Sequence, residues 1–510
     1  MRNRILSSAL CILFFSALEQ SGAFFYRITL SRSLGAEGLG QYQIALSFLF
    51  LVFSCCSGIP FSVGTKVSAH LATGDQSALG ETVSSGILLT LGVSLVASLL
   101  FFACLPILRR TDARETCDLL LLLLPSAFAM SLSTVFRGYL WGQQAFFTRG
   151  AIEVLDQAER IVLAAFLLRG LTPSAACKTA CIVFSAACWG TAALSFFCFL
   201  RLGGRFAKPR RIKEILRSSM TFSILNVATD LFRSLIAALF PALLVRYAKF
   251  TRPEAVAQYG ILCGMTEPVL SLPLLISGAF GSVLIPQISA AKQTGNRDEL
   301  RRCVKKVLAI SFWTGALGCA CFLAFGTQFG ILLYDNLQAG IYLRYACWLT
   351  LPLSLGALTT DLLGTLQPDM KTLKNYLLGM LVLPVVFVIA IPHFGPYALI
   401  LASLVCVCTV TFLNYRVLIC DTQPQFEALS SLGNLLLLAL FSAMVGSLCS
   451  DALSHFGLPL GFFCGLSLTV FVFLGGSVLL DLFDLRRSFA AYLRRRQNRR
   501  PEKSTGTANL

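Results

Sequence analysis

Seven stretches of this chain, 38–65, 82–108, 119–136, 179–200, 307–334, 428–450 and 452–480, contain no Asp, Glu, Lys or Arg. Each is apolar and, as a helix, long enough to cross a hydrocarbon core of about 30 Å, which takes roughly 18 to 20 residues. Nothing else in the sequence constrains the fold so hard. A backbone surrounded by lipid must satisfy its own hydrogen bonds, and a helix does so within one segment. The run 375–415 is also uncharged but too long for one helix, and IPHFGP at 391–396 divides it. Five further segments, 5–29, 147–168, 218–245, 255–289 and 341–366, are apolar with a few charges. The reading is an all-α polytopic membrane protein of about fourteen helices. Composition agrees, since 13% of the 510 residues are charged where soluble proteins have about a quarter.

The start, Met1-Arg2-Asn3-Arg4 before an apolar run, is like a secretory signal, but no small-x-small cleavage site follows and further spans come at once. It is read as the first helix. Nineteen cysteines lie mostly in apolar runs, without a CxxC pair or a Cys/His cluster of metal spacing. They are read as small buried hydrophobes, and no metal, catalytic group or cofactor is expected.

A net charge of +17 would suggest nucleic acid in a soluble protein, but here its distribution decides, and no nucleic-acid partner is expected. Lys and Arg gather in 201–217, in 292–306 and in 486–503. Each region follows an even-numbered helix, so the positive-inside rule places it, and both termini, in the cytoplasm. The basic tail is read as an orientation signal that can also touch anionic lipid.

One pattern occurs twice. VSAHLATGDQSAL, 67–79, returns as ISAAKQTGNRDEL, 288–300, and upstream of each copy Gln-Tyr-x-Ile occurs at 41–44 and at 258–261. Both copies end an even-numbered helix on the same side, with six helices between them. That is a parallel repeat of two six-helix lobes, a design that lets a midplane cavity open to either side in turn. The expected organisation is an N-terminal lobe, 1–205; a basic cytoplasmic linker, 206–217; a C-terminal lobe, 218–420; helices thirteen and fourteen, 421–484; and a basic tail, 485–510. Gly58 before Pro60 predicts a break in the second helix, and prolines 268, 273, 286, 352 and 384 predict kinks.

Three stretches carry a family resemblance. RSLGAEGLGQYQIALSFLFLVFSCCSGIPFSVGTKVSAHLATGD, 32–75, RGYLWGQQ with EVLDQAERIV, 137–144 and 153–162, and YGILCGMTEPVLSLPLLISGAFGSVLIPQISAA, 259–291, resemble, in order, the stage V sporulation protein B-like family of polysaccharide lipid flippases. That family lies within the multidrug/oligosaccharidyl-lipid/polysaccharide exporter superfamily. The resemblance implies a flippase of the cytoplasmic membrane that moves a saccharide on undecaprenyl diphosphate by alternating access. The saccharide would be a peptidoglycan precursor or another envelope unit, with a role in spore cortex synthesis and with membrane lipid and cell-wall polymerases as partners. The span 42–64 is uncharged, unlike the arginine-bearing first two helices of the peptidoglycan branch, so the saccharide stays open.

Charged side chains within spans are costly, and those present usually face a cavity or a partner. On the diphosphate reading Arg27, Arg32, Arg233 and Arg344 are substrate-binding candidates together with Glu267, and Asp230, Asn226, Asp361 and Glu19 are ion-coupling candidates. Asn226, Asp230 and Arg233 share a helical face, so mutual neutralisation of Asp230 and Arg233 is an alternative. Glu153, Asp156 and Arg160 share another face, for packing or for cavity lining. Arg27, Arg32 and Arg344 could instead snorkel to the interface.

An enzyme acting on lipid-linked sugars would need acid, base or metal ligands gathered in a loop of some size. The outward loops are short, the three histidines adjoin no carboxylate cluster, and no GxSxG or Walker loop is present. A secondary transporter remains, and a cation-coupled multidrug antiporter of the same superfamily is the nearer alternative.

Overall fold

A computed structural model describes residues 2–110, 114–366, 370–422 and 428–480. The described residues are mostly helical and form fourteen transmembrane helices. In chain order these are α1 (2–34), α2 (36–73), α3 (Gln76–Arg110), α4 (Arg114–Gly142), α5 (Phe146–Leu167), α6 (Pro173–Arg201), α7 (Ile212–Ala248), α8 (252–293), α9 (Arg297–Tyr334), α10 (337–366), α11 (Met370–Phe394), α12 (Ala398–Thr422), α13 (Ala428–Leu453) and α14 (Leu458–Leu479). Eleven described segments are long and apolar enough to span a membrane; Cys11–Ser54 and Lys374–Leu418 each contain parts of two helices. Phe146–Leu167 is the remaining span, and its five charged residues hide it from a hydropathy criterion. The basic tail lies outside the described residues.

The boundaries have local causes. Gly35 at φ 68° turns α1 into α2 without a loop, a conformation open to glycine at no steric cost. The predicted break in α2 falls at 55–58, where the helix ends at Ser54 and restarts at Ile59 with Pro60 in its first turn. A 3₁₀ turn, Gly395–Tyr397, separates α11 from α12 within IPHFGP. In α8 the α-helical stretch Arg252–Tyr259 passes into a π-helical stretch, Gly260–Thr266, then Glu267–Leu270, and restarts at Leu272. Pro268 and Pro273 cannot donate to the helical ladder there, which accounts for the irregularity.

The repeat answers to the same atoms in both copies. Gly74 (φ 74°) and Gly295 (φ 68°) end α2 and α8 in the left-handed conformation. The next amide reaches back to His70 O or to Ala291 O, at 3.1 Å in both copies, a helix-stop arrangement. Asp75 Oδ1 then accepts from the Ala78 amide, as Asn296 Oδ1 accepts from Glu299, again at 3.1 Å in each. These are N-caps for α3 and α9. The Ala78 amide and the Ser77 hydroxyl hold the Asp75 carboxyl below its usual range. Asn296→Ala is expected to lower stability by about 1 kcal/mol, checked by thermal unfolding in detergent.

The first half of the repeat marks a close approach of the two lobes at their outer ends. A Cβ on Gly40 would lie 2.1 Å from Val256 O, and one on Gly260 would lie 2.2 Å from Ala36 O. The outer end of α2 therefore crosses the outer end of α8 backbone to backbone, with Tyr42 and Tyr259 buried on either side. Gly40→Val is expected to break this crossing and cost about 1–3 kcal/mol through overpacking, read as a lower unfolding midpoint.

Towards the cytoplasm α7 lies along α2. Gly58 N donates to Ser223 Oγ at 3.1 Å, Asn226 Nδ2 donates to Ser57 Oγ at 2.8 Å, and Ser62 bonds Ser218. The linker is tied to α3 by the Ala207 and Arg211 amides, which donate to Ser84 and Ser85, and by Arg211 on Glu81 at 3.3 Å. Helix α7 begins at Ile212, within the stretch read as linker. Helix α14 packs on α9 through Phe462 against Phe325 and Phe329 and accepts from Trp313 Nε1 at Ser477, while α13 meets α9 where Gln328 Nε2 donates to Ser450 Oγ at 3.2 Å.

Candidate functional site

Three charged side chains, Glu267, Arg233 and Arg27, lie within electrostatic reach of Cys263 on α8. Glu267 is exposed although Gly264, Met265, Thr266, Pro268, Val269 and Leu270 around it are buried. Contact with lipid would be costly for a carboxylate within a span, which marks Glu267 as a candidate for a water-facing group. Arg233, also exposed, lies on α7 within electrostatic reach of Glu267, Tyr376 and Asp230. Arg27 on α1 joins them, since it, Arg233 and Glu267 all act on Cys263. The site thus draws on both lobes and lies beside the irregular part of α8. Interrupted helices at midplane are where transporters of this design place their ligands.

The other sequence-derived candidates lie elsewhere. Asn226 is committed to Ser57 at the break in α2. Arg32 donates from Nε to Leu333 O at 2.9 Å and from Nη2 to Leu332 O at 2.8 Å, at the end of α9. Arg344 is exposed on Leu337–Ala346, the outer part of α10, and Asp361 is exposed on its inner part, Thr350–Leu366. Next to Asp361, Thr360 accepts from Asn414, which itself accepts from Asn375.

Glu19 faces a second polar cluster, enclosed in the N-terminal lobe. Asp156 takes the Arg160 guanidinium at 2.9 Å and the Thr191 hydroxyl at 2.6 Å. Arg160 also lies over the Phe184 ring at 4.6 Å. Glu153 is 3.0 Å from Arg149 and 3.8 Å from Arg137. Glu19 lies within electrostatic reach of Glu153, Arg137, Asp156 and Arg149. Room for this comes from glycines: Gly190 of α6 leaves space for the Glu159 carboxylate, and Gly22 of α1 for Gln157. Of the two readings of the α5 face, interhelical packing describes Asp156 and Arg160. Arg137, whose Nε is buried without a partner, was missed by sequence reasoning. Its signal is the charge that directly follows the uncharged run 119–136, at the start of RGYLWGQQ.

The described cysteines are unbridged, and most are buried.

Residues 6–292 match the model of the family described as polysaccharide biosynthesis protein. The chain is 23% identical over 340 residues to stage V sporulation protein B of Bacillus subtilis (strain 168), a match covering 63% of this chain and 65% of that protein, just under two thirds. It is also 23% identical over 336 residues to sporulation protein YkvU of the same organism, covering 63% of this chain and 73% of that one. Its fold is similar to a solved structure described as the inward-facing conformation of a multidrug resistance MATE family transporter of the MOP superfamily. The TM-score is 0.66 at 15% identity, over 82% of this chain and 99% of the other.

Proposed function

The chain belongs to the polysaccharide biosynthesis protein family, and from that premise we propose that it is a secondary transporter that flips a saccharide linked to undecaprenyl diphosphate across the cytoplasmic membrane. The observation that carries the reading is Arg233, an exposed guanidinium within the span α7, with Arg27 and Glu267 in electrostatic reach of the same Cys263. A diphosphate presents oxyanions that a guanidinium fork matches bidentately. Glu267 and Asp230 keep the empty site near neutrality, so the arginines stay compensated when no cargo is bound. Arg344, on the outer part of α10, is proposed as a further contact for the headgroup near the outer mouth.

Asp230, adjacent to Arg233, and Glu19, in a cluster of four carboxylates (Glu19, Glu153, Asp156, Glu159) and three arginines (Arg137, Arg149, Arg160), are the proposed coupling groups. With one more acid than base, that cluster favours binding a proton or another cation. Asp361 is a third, separate candidate, and Asn226 serves by holding α7 to the break in α2. Driving energy would come from an ion gradient or from the membrane potential, worth about 2.3 kcal/mol per charge per 100 mV.

The second reading, a cation-coupled multidrug antiporter, is favoured by the carboxylates of the same cavity and by the MATE-like fold. Equilibrium binding to the purified protein separates the two. A short-chain polyprenyl diphosphate disaccharide should bind and lose affinity in Arg233→Ala. A cationic dye that binds instead, and is lost in Glu267→Gln, would favour the antiporter. The saccharide, the cell-wall polymerases it would supply and a role in sporulation rest on the family relationship.

A further inference from the structure

Helix α9 ends with four carbonyls that no amide of its own can reach in the regular pattern. The chain turns back at Asp335, which has φ 52°. Its amide takes Ile331 O at 2.9 Å, and the Asn336 amide takes Gly330 O at 3.1 Å. Leu332 O and Leu333 O lie just beyond these, and they are the two atoms that receive Nη2 and Nε of Arg32. The guanidinium comes from the outer end of α1, about 300 residues away in sequence, and it completes a helix terminus in the opposite lobe. A cation at a helix C-terminus is also favoured by the helix dipole. The contact is exposed, so water and solutes can reach it. It lies on the same side as the Gly40–Val256 and Gly260–Ala36 crossings.

On the alternating-access reading proposed above, this bond breaks each time the outer side opens. When the outer side opens, α1 and α9 part, and the Arg32 fork is left with two free donors at the mouth of the cavity. A phosphoryl group offers two oxygens at the spacing the fork needs. We propose that Arg32 is an exchange latch: with the outer side closed it fastens α1 to the last carbonyls of α9, and on opening it transfers its two donors to a phosphoryl oxyanion of the cargo. An empty carrier then stays latched, because opening leaves the fork without a protein partner, and a loaded carrier opens because the headgroup replaces the carbonyls. Arg32 is a binding residue only in the open state. The second half of this proposal rests on the diphosphate reading given above, and the first half does not.

The test is hydrogen–deuterium exchange of the full chain in nanodiscs, followed in peptides covering 330–342 and 252–262. Without ligand, Arg32→Ala should exchange about tenfold faster than wild type in both, as expected for loss of a charge-assisted pair of hydrogen bonds. Peptides covering 57–66, where α2 lies along α7, should be unchanged, which excludes general unfolding. Arg32→Lys keeps the charge and the aliphatic stem but not the fork, and should fall between the two. Equal exchange in wild type and Arg32→Ala would overturn the latch, whatever the cargo is.

In wild type, a short-chain polyprenyl diphosphate should raise exchange at 330–342, and the matching polyprenol should not. The same rise with inorganic pyrophosphate would assign the effect to the free anion, and a rise with the lipid alone to the lipid-borne headgroup; both support the transfer. If both ligands leave wild type unchanged while the lipid binds Arg32→Ala as tightly as wild type, the transfer is overturned and the latch stands. If no polyprenyl diphosphate binds at all, the diphosphate reading of the function fails with it, and the ligand-free comparison still decides the latch.

Discussion

Asp156→Ala is expected to destabilise the protein by about 3–5 kcal/mol, the cost of leaving a buried cation without its counter-charge. The side chains of Asp156 and Arg160 are 12% and 15% exposed, so water cannot replace the missing carboxylate at little cost. The Thr191 hydroxyl would lose its acceptor as well. Replacing both partners, Asp156→Leu with Arg160→Leu, should cost much less than the single change, because two neutral side chains leave no uncompensated charge. Unfolding midpoints of the two variants decide this. A double variant as unstable as Asp156→Ala would mean that the pair contributes through packing rather than through charge.

Arg233→Ala should have the opposite profile, with stability close to wild type and transport reduced on the order of 100-fold. The fold-change corresponds to removing one partner from a charged, hydrogen-bonded contact, about 2–5 kcal/mol. The small effect on folding follows from the exposure of Arg233. Arg233→Lys keeps a point charge but not a planar fork and should recover part of the activity. Initial rates of flipping in proteoliposomes, beside unfolding midpoints, separate the two effects.

The residues that could be read from sequence are those whose meaning is local. Uncharged runs show where helices lie, because the bilayer tolerates little else. Gly58 and Pro60 mark the break in α2 because neither supports a helix interior. The Thr-Gly-Asp and Thr-Gly-Asn stretches mark helix stops because glycine takes the left-handed turn and the next side chain caps the following helix. The charges at 27, 230, 233 and 267 stand out because their cost in lipid demands a reason.

What stayed hidden depends on partners far along the chain. Asn226 looks like a cavity group until Ser57, 169 residues away, accepts its amide. Arg32 looks like a snorkelling or phosphate-seeking arginine until the end of α9 arrives. Arg137 directly follows the uncharged run 119–136, and its place beside Glu153 emerges only when α4 packs on α5. The π-helical stretch in α8 follows from two prolines and from packing on α2, and hydropathy carries no trace of it.

The most direct measurement of the central claim is outward flipping of an undecaprenyl diphosphate-linked disaccharide in proteoliposomes, with and without an imposed membrane potential, by wild type and by Arg233→Ala. Flipping by wild type that responds to an imposed potential or ion gradient and falls by about two orders of magnitude in the folded variant is the expected result. A folded wild-type protein that flips no lipid-linked saccharide under either condition, or a variant that flips it as fast as wild type, would contradict the account.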